Sequence, residues 1–177
     1  MAEVFVNSQT RAAGIVTTST GATIGANATT ITGVSTAGVA IGYMVDTQHL
    51  RGGAKVSAIG SGQVTVDKTS TNTASAASQT VRFMGPTTCY TSPSSTKSIL
   101  IGGTYANLTN NSVNMFVELK SGSTHTGIAN DIPVPTGSSF VISDAGKTVM
   151  AGDDEIRIYV DTDSAIDVTM GILQGVN

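Results

Sequence analysis

Apolar and polar residues alternate at every second position through most of this chain, and this pattern constrains the fold most. In residues 113–119 the apolar side chains recur at odd positions, and in residues 155–160 they recur at even positions. No stretch has apolar residues at i, i+3, i+4 and i+7 that is free of glycine and of β-branched runs. A period of two is typical of strands that bury one face. We therefore predict an all-β protein.

The composition agrees with short strands joined by tight turns. Charged residues make up only 12% of the chain, about half of the usual quarter, and 20 glycines accompany abundant Thr and Ser. Thr and Val suit pleated surfaces, and glycine suits the turns between strands. The net charge is −3, and no two of the nine Lys and Arg residues are adjacent. Because nucleic-acid binding needs clustered cations, we expect no nucleic-acid partner.

Turn residues divide the chain into three parts. Residues 1–14 are expected to form an N-terminal arm or an edge strand. Residues 15–86 are expected to form a small β-domain, with a strand at 39–45 that turns at Gly42 and a hairpin at 54–67. The segment 85–93 holds two of the four prolines and is the best boundary. Residues 88–177 are expected to form an antiparallel β-sandwich, jelly-roll-like, with about seven strands.

We find no residues that predict catalysis, a cofactor or a metal site, and we expect a protein that is not an enzyme. The two histidines, His49 and His125, are interpreted as solvated loop residues. Arg51 precedes two glycines and is interpreted as part of a turn. The single cysteine, Cys89, is interpreted as a small buried apolar side chain.

Five acidic residues near the ends of one predicted strand are candidate calcium ligands, namely Asp153, Asp154, Glu155, Asp161 and Asp163. Oxygen ligands from loops can hold calcium, but these residues lack the EF-hand spacing and flank opposite ends of one strand. Ordinary turn chemistry is the favoured interpretation.

The N-terminal segment holds the candidate partner-binding residues, namely Val4, Phe5, Val6 and Arg11. The apolar run at 4–6 would satisfy its backbone groups by pairing with the sheet edge of a neighbouring subunit. Alternatively, and with equal weight, residues 4–6 form an ordinary first strand of their own domain. Arg11 could pair with a partner's carboxylate, but a solvated side chain is the favoured interpretation.

We expect a product made in the cytoplasm that does not enter a membrane. The first residues lack the basic and apolar regions of a signal peptide. The longest weakly apolar stretch, residues 37–45, is too short to span a bilayer.

Two stretches carry a resemblance to known families. Residues 29–34 (TTITGV), 39–45 (VAIGYMV) and 53–66 (GAKVSAIGSGQVTV) resemble a short β-module of tailed-phage virion proteins, including fibres. Residues 90–101 (YTSPSSTKSILI), 129–139 (ANDIPVPTGSS), 146–153 (GKTVMAGD) and 165–168 (AIDV) are similar to small β-sandwich structural proteins of marine and cyanobacterial phages. One departure is Ser94, where a glycine is expected after Pro93, and it affects a single turn.

The resemblance implies a bacteriophage virion protein that assembles in the host cytoplasm. It implies a capsid decoration or cement protein, or a component of the neck, collar or tail. The implied partners are the major capsid protein or neck and tail proteins of the same particle, together with further copies of the chain. The family supplies no catalytic residues. The alternative is a receptor- or glycan-binding module of a fibre or capsid surface.

Overall fold

The computed structural model describes residues 3–142 and 147–176, and within these ranges it contains fifteen strands and no helix. The all-β prediction is therefore confirmed. In these ranges there is also no helix long and apolar enough to cross a membrane. The strands in chain order are β1 (Val4–Ala13), β2 (Ile15–Ile24), β3 (Thr30–Thr32), β4 (Met44–Asp46), β5 (Ala54–Gly60), β6 (Gln63–Val66), β7 (Ala76–Gly85), β8 (Thr87–Thr91), β9 (Lys97–Asn107), β10 (Val113–Ser121), β11 (Thr124–Val134), β12 (Ser139–Ile142), β13 (Thr148–Met150), β14 (Glu155–Val160) and β15 (Ile166–Val176).

The chain forms two compact units. One unit consists of residues 15–86, and the other combines residues 1–14 with residues 87–177. We call them the barrel unit and the two-sheet unit.

The barrel unit is a closed six-stranded barrel in the order β2-β3-β6-β5-β4-β7. Its core is lined by aliphatic side chains around Phe83, which is fully buried. The predicted hairpin is confirmed, since β5 and β6 pair through Gly60 and Gln63 around a tight turn. The strand predicted at 39–45 is wrong for residues 39–43, and only residues 44 and 45 lie in a strand. Gly38 and Gly42 have φ of 76° and 87°, and this left-handed backbone turns the chain until β4 begins.

The two-sheet unit consists of a five-stranded and a four-stranded antiparallel sheet. The first has the order β1-β15-β9-β12, with β13 also paired to β9, and the second has the order β11-β10-β14-β8. Inward side chains of both sheets form one apolar cluster, which includes Leu100 and Ile166 from the first sheet and Met115 and Ile158 from the second. The alternation predicted for residues 155–160 is confirmed, since the apolar positions of β14 are fully buried.

Strand β8 lies within the segment that was predicted to be a boundary. It begins directly after Pro86 and pairs with β14 from Thr87↔Ile158 to Thr91↔Glu155. Its mostly hydroxylated sequence gave no alternating apolar signal, although Cys89 and Tyr90 are buried in the core.

Candidate interaction surface

Strand β1 forms one edge of the five-stranded sheet. It pairs antiparallel with β15, from Val4 opposite Gln174 to Ala13 opposite Ile166. A bulge interrupts the pairing at Arg11 and Ala12, and the amide of Ala12 donates a 2.8 Å hydrogen bond to the Asp167 carboxylate. No other described strand pairs with β1, so its second edge has no strand partner within residues 3–142 and 147–176.

The four candidate residues lie on opposite faces of β1, because successive side chains of a strand alternate. Val6 is half-buried opposite the core residue Ile172. Val4 lines a surface cavity of about 340 Å³ together with Thr96 and Gln174. Phe5 and Arg11 share the other face.

Phe5 and Arg11 lie on the face of β1 that points away from the core. Both side chains are exposed, and the relative solvent-accessible area of Phe5 is 75%. Only these two of the four predicted residues therefore share one exposed face.

Phe5 begins an apolar row that crosses the outer face of four strands of the five-stranded sheet, namely β1, β15, β9 and β13. Phe5 lies opposite Leu173, Leu173 lies opposite Ile99, and Ile99 lies opposite Val149. Directly opposed side chains share a face and lie about 5 Å apart. Val149 is 60% exposed, and Leu173 and Ile99 are half-buried between the two ends. We call these four residues the apolar row.

Strand β1 is fastened on its inner side to β8. The hydroxyl of Ser8 donates a 2.6 Å hydrogen bond to the carbonyl oxygen of Cys89. Cys89 is buried, as predicted, and this burial raises the pKa of its thiol to about 11, although a hydrogen bond with Thr10 acts in the opposite direction. These contacts fix the strand that presents Phe5.

The outer face of the four-stranded sheet carries ion pairs and buried hydrogen bonds beside the buried ring of Phe116. Glu155 accepts hydrogen bonds from Lys120 at 2.7 Å, from Arg157 at 2.8 Å and from Thr88 at 3.0 Å. Burial raises the pKa of Glu155, but the three hydrogen bonds and the nearby Arg157 charge outweigh it and lower the pKa to about 2. Glu155 is therefore ionised and held in an ion-pair network with Lys120 and Arg157.

A second polar cluster on this face surrounds Glu118. Its Oε1 accepts a 2.7 Å hydrogen bond from the Tyr159 hydroxyl and lies 2.9 Å from Nδ1 of His125. Burial and the neighbouring Glu118 raise the pKa of the Tyr159 hydroxyl. His125 was interpreted as a solvated loop residue; it is exposed, but it lies in strand β11 and not in a loop. His49 lies in a turn and is partly exposed.

Of the candidate calcium ligands, Asp153 and Asp154 lie in or beside the turn before β14, and Glu155 forms ion pairs. The carboxylate of Asp154 accepts a 2.7 Å hydrogen bond from the amide of Ala151, and Asp153 has a φ of 66°. The described residues contain no group of three His, Cys, Asp or Glu side chains that could hold a metal ion. Arg51 directly precedes a turn at residues 52 and 53, and Gly53 has a φ of 75°, which agrees with the interpretation of this segment as a glycine turn.

Sequence reasoning found Phe5 and missed the other three members of the apolar row. Ile99, Val149 and Leu173 belong to three different strands, and only the pairing register brings them beside Phe5. No family model, curated protein or solved structure matches the chain.

Proposed function

We propose that this chain is a non-enzymatic structural protein of a tailed-bacteriophage particle. It binds other virion subunits as a capsid decoration or cement protein, or as a neck, collar or tail component. The resemblance in residues 28–67 and 90–168 supports the assignment to a phage particle. The apolar row supports the binding role, because contiguous exposed apolar side chains mark sites of protein–protein contact.

The apolar row carries this proposal. An exposed phenylalanine at a sheet edge is an anchor that a partner's pocket can take up, and aromatic anchors dominate the energetics of protein interfaces. The low charge of the chain reduces the desolvation cost of covering a wide surface. A stable contact would bury about 1,200–2,000 Å² in total. The partner is the major capsid protein or a neck or tail protein, and the chain binds as a homo-oligomer.

The proposed architecture is a jelly-roll-like β-sandwich with a smaller β-domain inserted after its first strand. The single core shared by the two sheets supports the sandwich description. The compact barrel of residues 15–86 supports the description of a separate small domain.

Particle binding by single variants tests the role of the apolar row. Phage particles that lack this chain are mixed with purified protein and pelleted, and the bound copies are counted by quantitative mass spectrometry. Phe5→Ser removes the most exposed member of the row without disturbing the core. We expect its affinity for particles to fall at least about tenfold.

Ile41→Ser is the matched control, since Ile41 is 68% exposed but lies in a turn of the barrel unit. It should bind like the wild-type chain. Normal binding by Phe5→Ser, or an equal loss in both variants, would contradict a role for the row.

A second candidate function, binding of a glycan or receptor, is favoured by one feature of the barrel unit. A surface cavity of about 740 Å³ is lined by Arg51, Lys68 and Thr69, among other residues. Cations and hydroxyls could bind an acidic sugar there. However, Tyr90, Tyr105 and Tyr159 are buried and offer no surface for stacking on a sugar ring. An array of acidic glycans that binds the wild-type chain but not Arg51→Ala would favour this function.

A further inference from the structure

The second edge of β1 is open to another strand. Strand β1 ends the order of the five-stranded sheet, and in the described part of the chain only β15 pairs with it. Such an edge leaves a row of backbone N–H and C=O groups that a further strand can satisfy.

Three exposed side chains along this edge form a symmetric pattern. Asn7 and Arg11 lie on the outer face of β1, and Glu3, which directly precedes the strand, continues the same interval of four residues. Glu3 and Arg11 carry opposite charges at equal distances from Asn7. Within residues 3–142 and 147–176, neither forms an ion pair.

We propose that a second copy of this chain binds here, and that the two β1 strands pair antiparallel about a two-fold axis at Asn7. Glu3 then lies opposite the partner's Arg11, and the same pair recurs on the other side of the axis. Phe5 lies opposite the partner's Gln9, and the two Asn7 residues face each other.

The charges select this register from the alternatives. Centring the axis on Val6 would place Glu3 opposite the partner's Gln9, and centring it on Ser8 would place Arg11 opposite the partner's Phe5. A parallel pairing would oppose like charges at both ends, which is unfavourable. Only the axis at Asn7 pairs both charges, and an interface of this kind is self-complementary.

Pairing in this register would continue the sheet from one copy into the next. Directly opposed residues of antiparallel strands share a face, so both apolar rows would lie on the same side of the joined sheet. A second copy of the chain is thus one partner of the β1 surface, and this pairing rests on the proposed function only in that both use the same strand. It also explains how two rows could present one larger apolar surface to a virion protein.

Disulfide cross-linking tests the register directly. Across an antiparallel pair the Cα atoms lie about 4.5–5.5 Å apart, within the range that a disulfide spans. The variant Asn7→Cys, incubated with a mild oxidant, should give a covalent dimer on non-reducing gels. The native Cys89 is buried and does not compete.

Gln9→Cys is the matched control, because Gln9 is exposed on the same face of the same strand. Its counterpart lies opposite Phe5, so two such cysteines would be too far apart to join. Equal cross-linking of both variants, or of neither, would overturn the proposed pairing.

Exchange of the charges provides an independent measurement in solution. Glu3→Arg or Arg11→Glu alone would oppose like charges at two places in the dimer, and we expect the dissociation constant measured by analytical ultracentrifugation to rise about tenfold. The double variant restores both pairs and should return close to the wild-type value. A double variant no tighter than the single ones would overturn the proposal.

The two proposals can fail separately. If the chain is monomeric but is found in phage particles, the pairing is wrong and the proposed function stands. If the chain dimerises through β1 but is absent from particles, the proposed function is wrong and the pairing stands.

Discussion

The hydroxyl of Tyr159 donates a 2.7 Å hydrogen bond to the carboxylate of Glu118, and both side chains are buried on the face of the four-stranded sheet that points away from its core. Buried carboxylates depend on such donors, because few waters can replace them. The variant Tyr159→Phe keeps the ring and removes this donor. We expect the free energy of unfolding to fall by about 1–3 kcal/mol, measured by urea denaturation with circular dichroism.

Tyr43→Phe is the control for this measurement. Tyr43 is half-buried, and its hydroxyl forms no hydrogen bond within the described residues. Its unfolding curve should match that of the wild-type chain. A Tyr159→Phe variant as stable as Tyr43→Phe would show that the bond to Glu118 contributes nothing.

The pKa of Glu155 predicts how stability depends on pH. Burial opposes ionisation of this carboxylate, but hydrogen bonds from Lys120, Arg157 and Thr88 prevail and lower its pKa from 4.5 to about 2. Because the folded pKa lies below the unfolded one, the stabilisation is complete above about pH 4.5. It disappears as the pH falls to about 2.

The variant Glu155→Gln should therefore be less stable than the wild-type chain near neutral pH, and the difference should shrink as the pH falls below 4.5. Asp153→Asn is the control, since Asp153 is exposed in the preceding turn. Denaturant titrations over a series of pH values provide the measurement. A stability difference that does not change with pH would refute the assigned cause.

Gly152 packs against the backbone of the turn that precedes β9. A Cβ atom at this position would overlap the carbonyl oxygen of Ser94, which cannot move without disturbing its turn. We expect Gly152→Ala to cost about 1–3 kcal/mol, seen as a lower midpoint of thermal unfolding. In Gly127→Ala the added Cβ meets no atom within 4 Å, and this control should change the midpoint little. Equal midpoints for the two variants would mean that the turn at Ser94 shifts to accept the added Cβ atom at no cost in stability.

The sequence allowed the strands with strict alternation to be predicted, because burial of a single face leaves a pattern of period two. Strand β14 is an example, and so is the hairpin of β5 and β6. The alternation of apolar and polar residues could not show that side chains on the outer face of the four-stranded sheet are buried as well. Phe116 and Tyr159 lie on that face and are nevertheless buried.

The candidate surface could be predicted only in part. The apolar character of residues 4–6 was visible in the sequence, but which of them is exposed depends on the face that β1 turns towards the core. Leu173 and Ile99 are far from Phe5 in the chain, and a change of one residue in register would place them on the opposite face. Register depends on bulges such as the one at Arg11, and local sequence does not determine it.

Immunogold electron microscopy of purified particles tests the central claim most directly. An antibody against this chain is applied to intact and disrupted particles of a tailed phage whose genome carries its coding sequence, with an antibody against the major capsid protein as the positive control. The account predicts gold label on the particles: label over the head would identify a decoration protein, and label at the neck or tail would identify a connector, collar or tail component. Particles that bind the control antibody but carry no label for this chain, intact or disrupted, would contradict the proposed role in the virion.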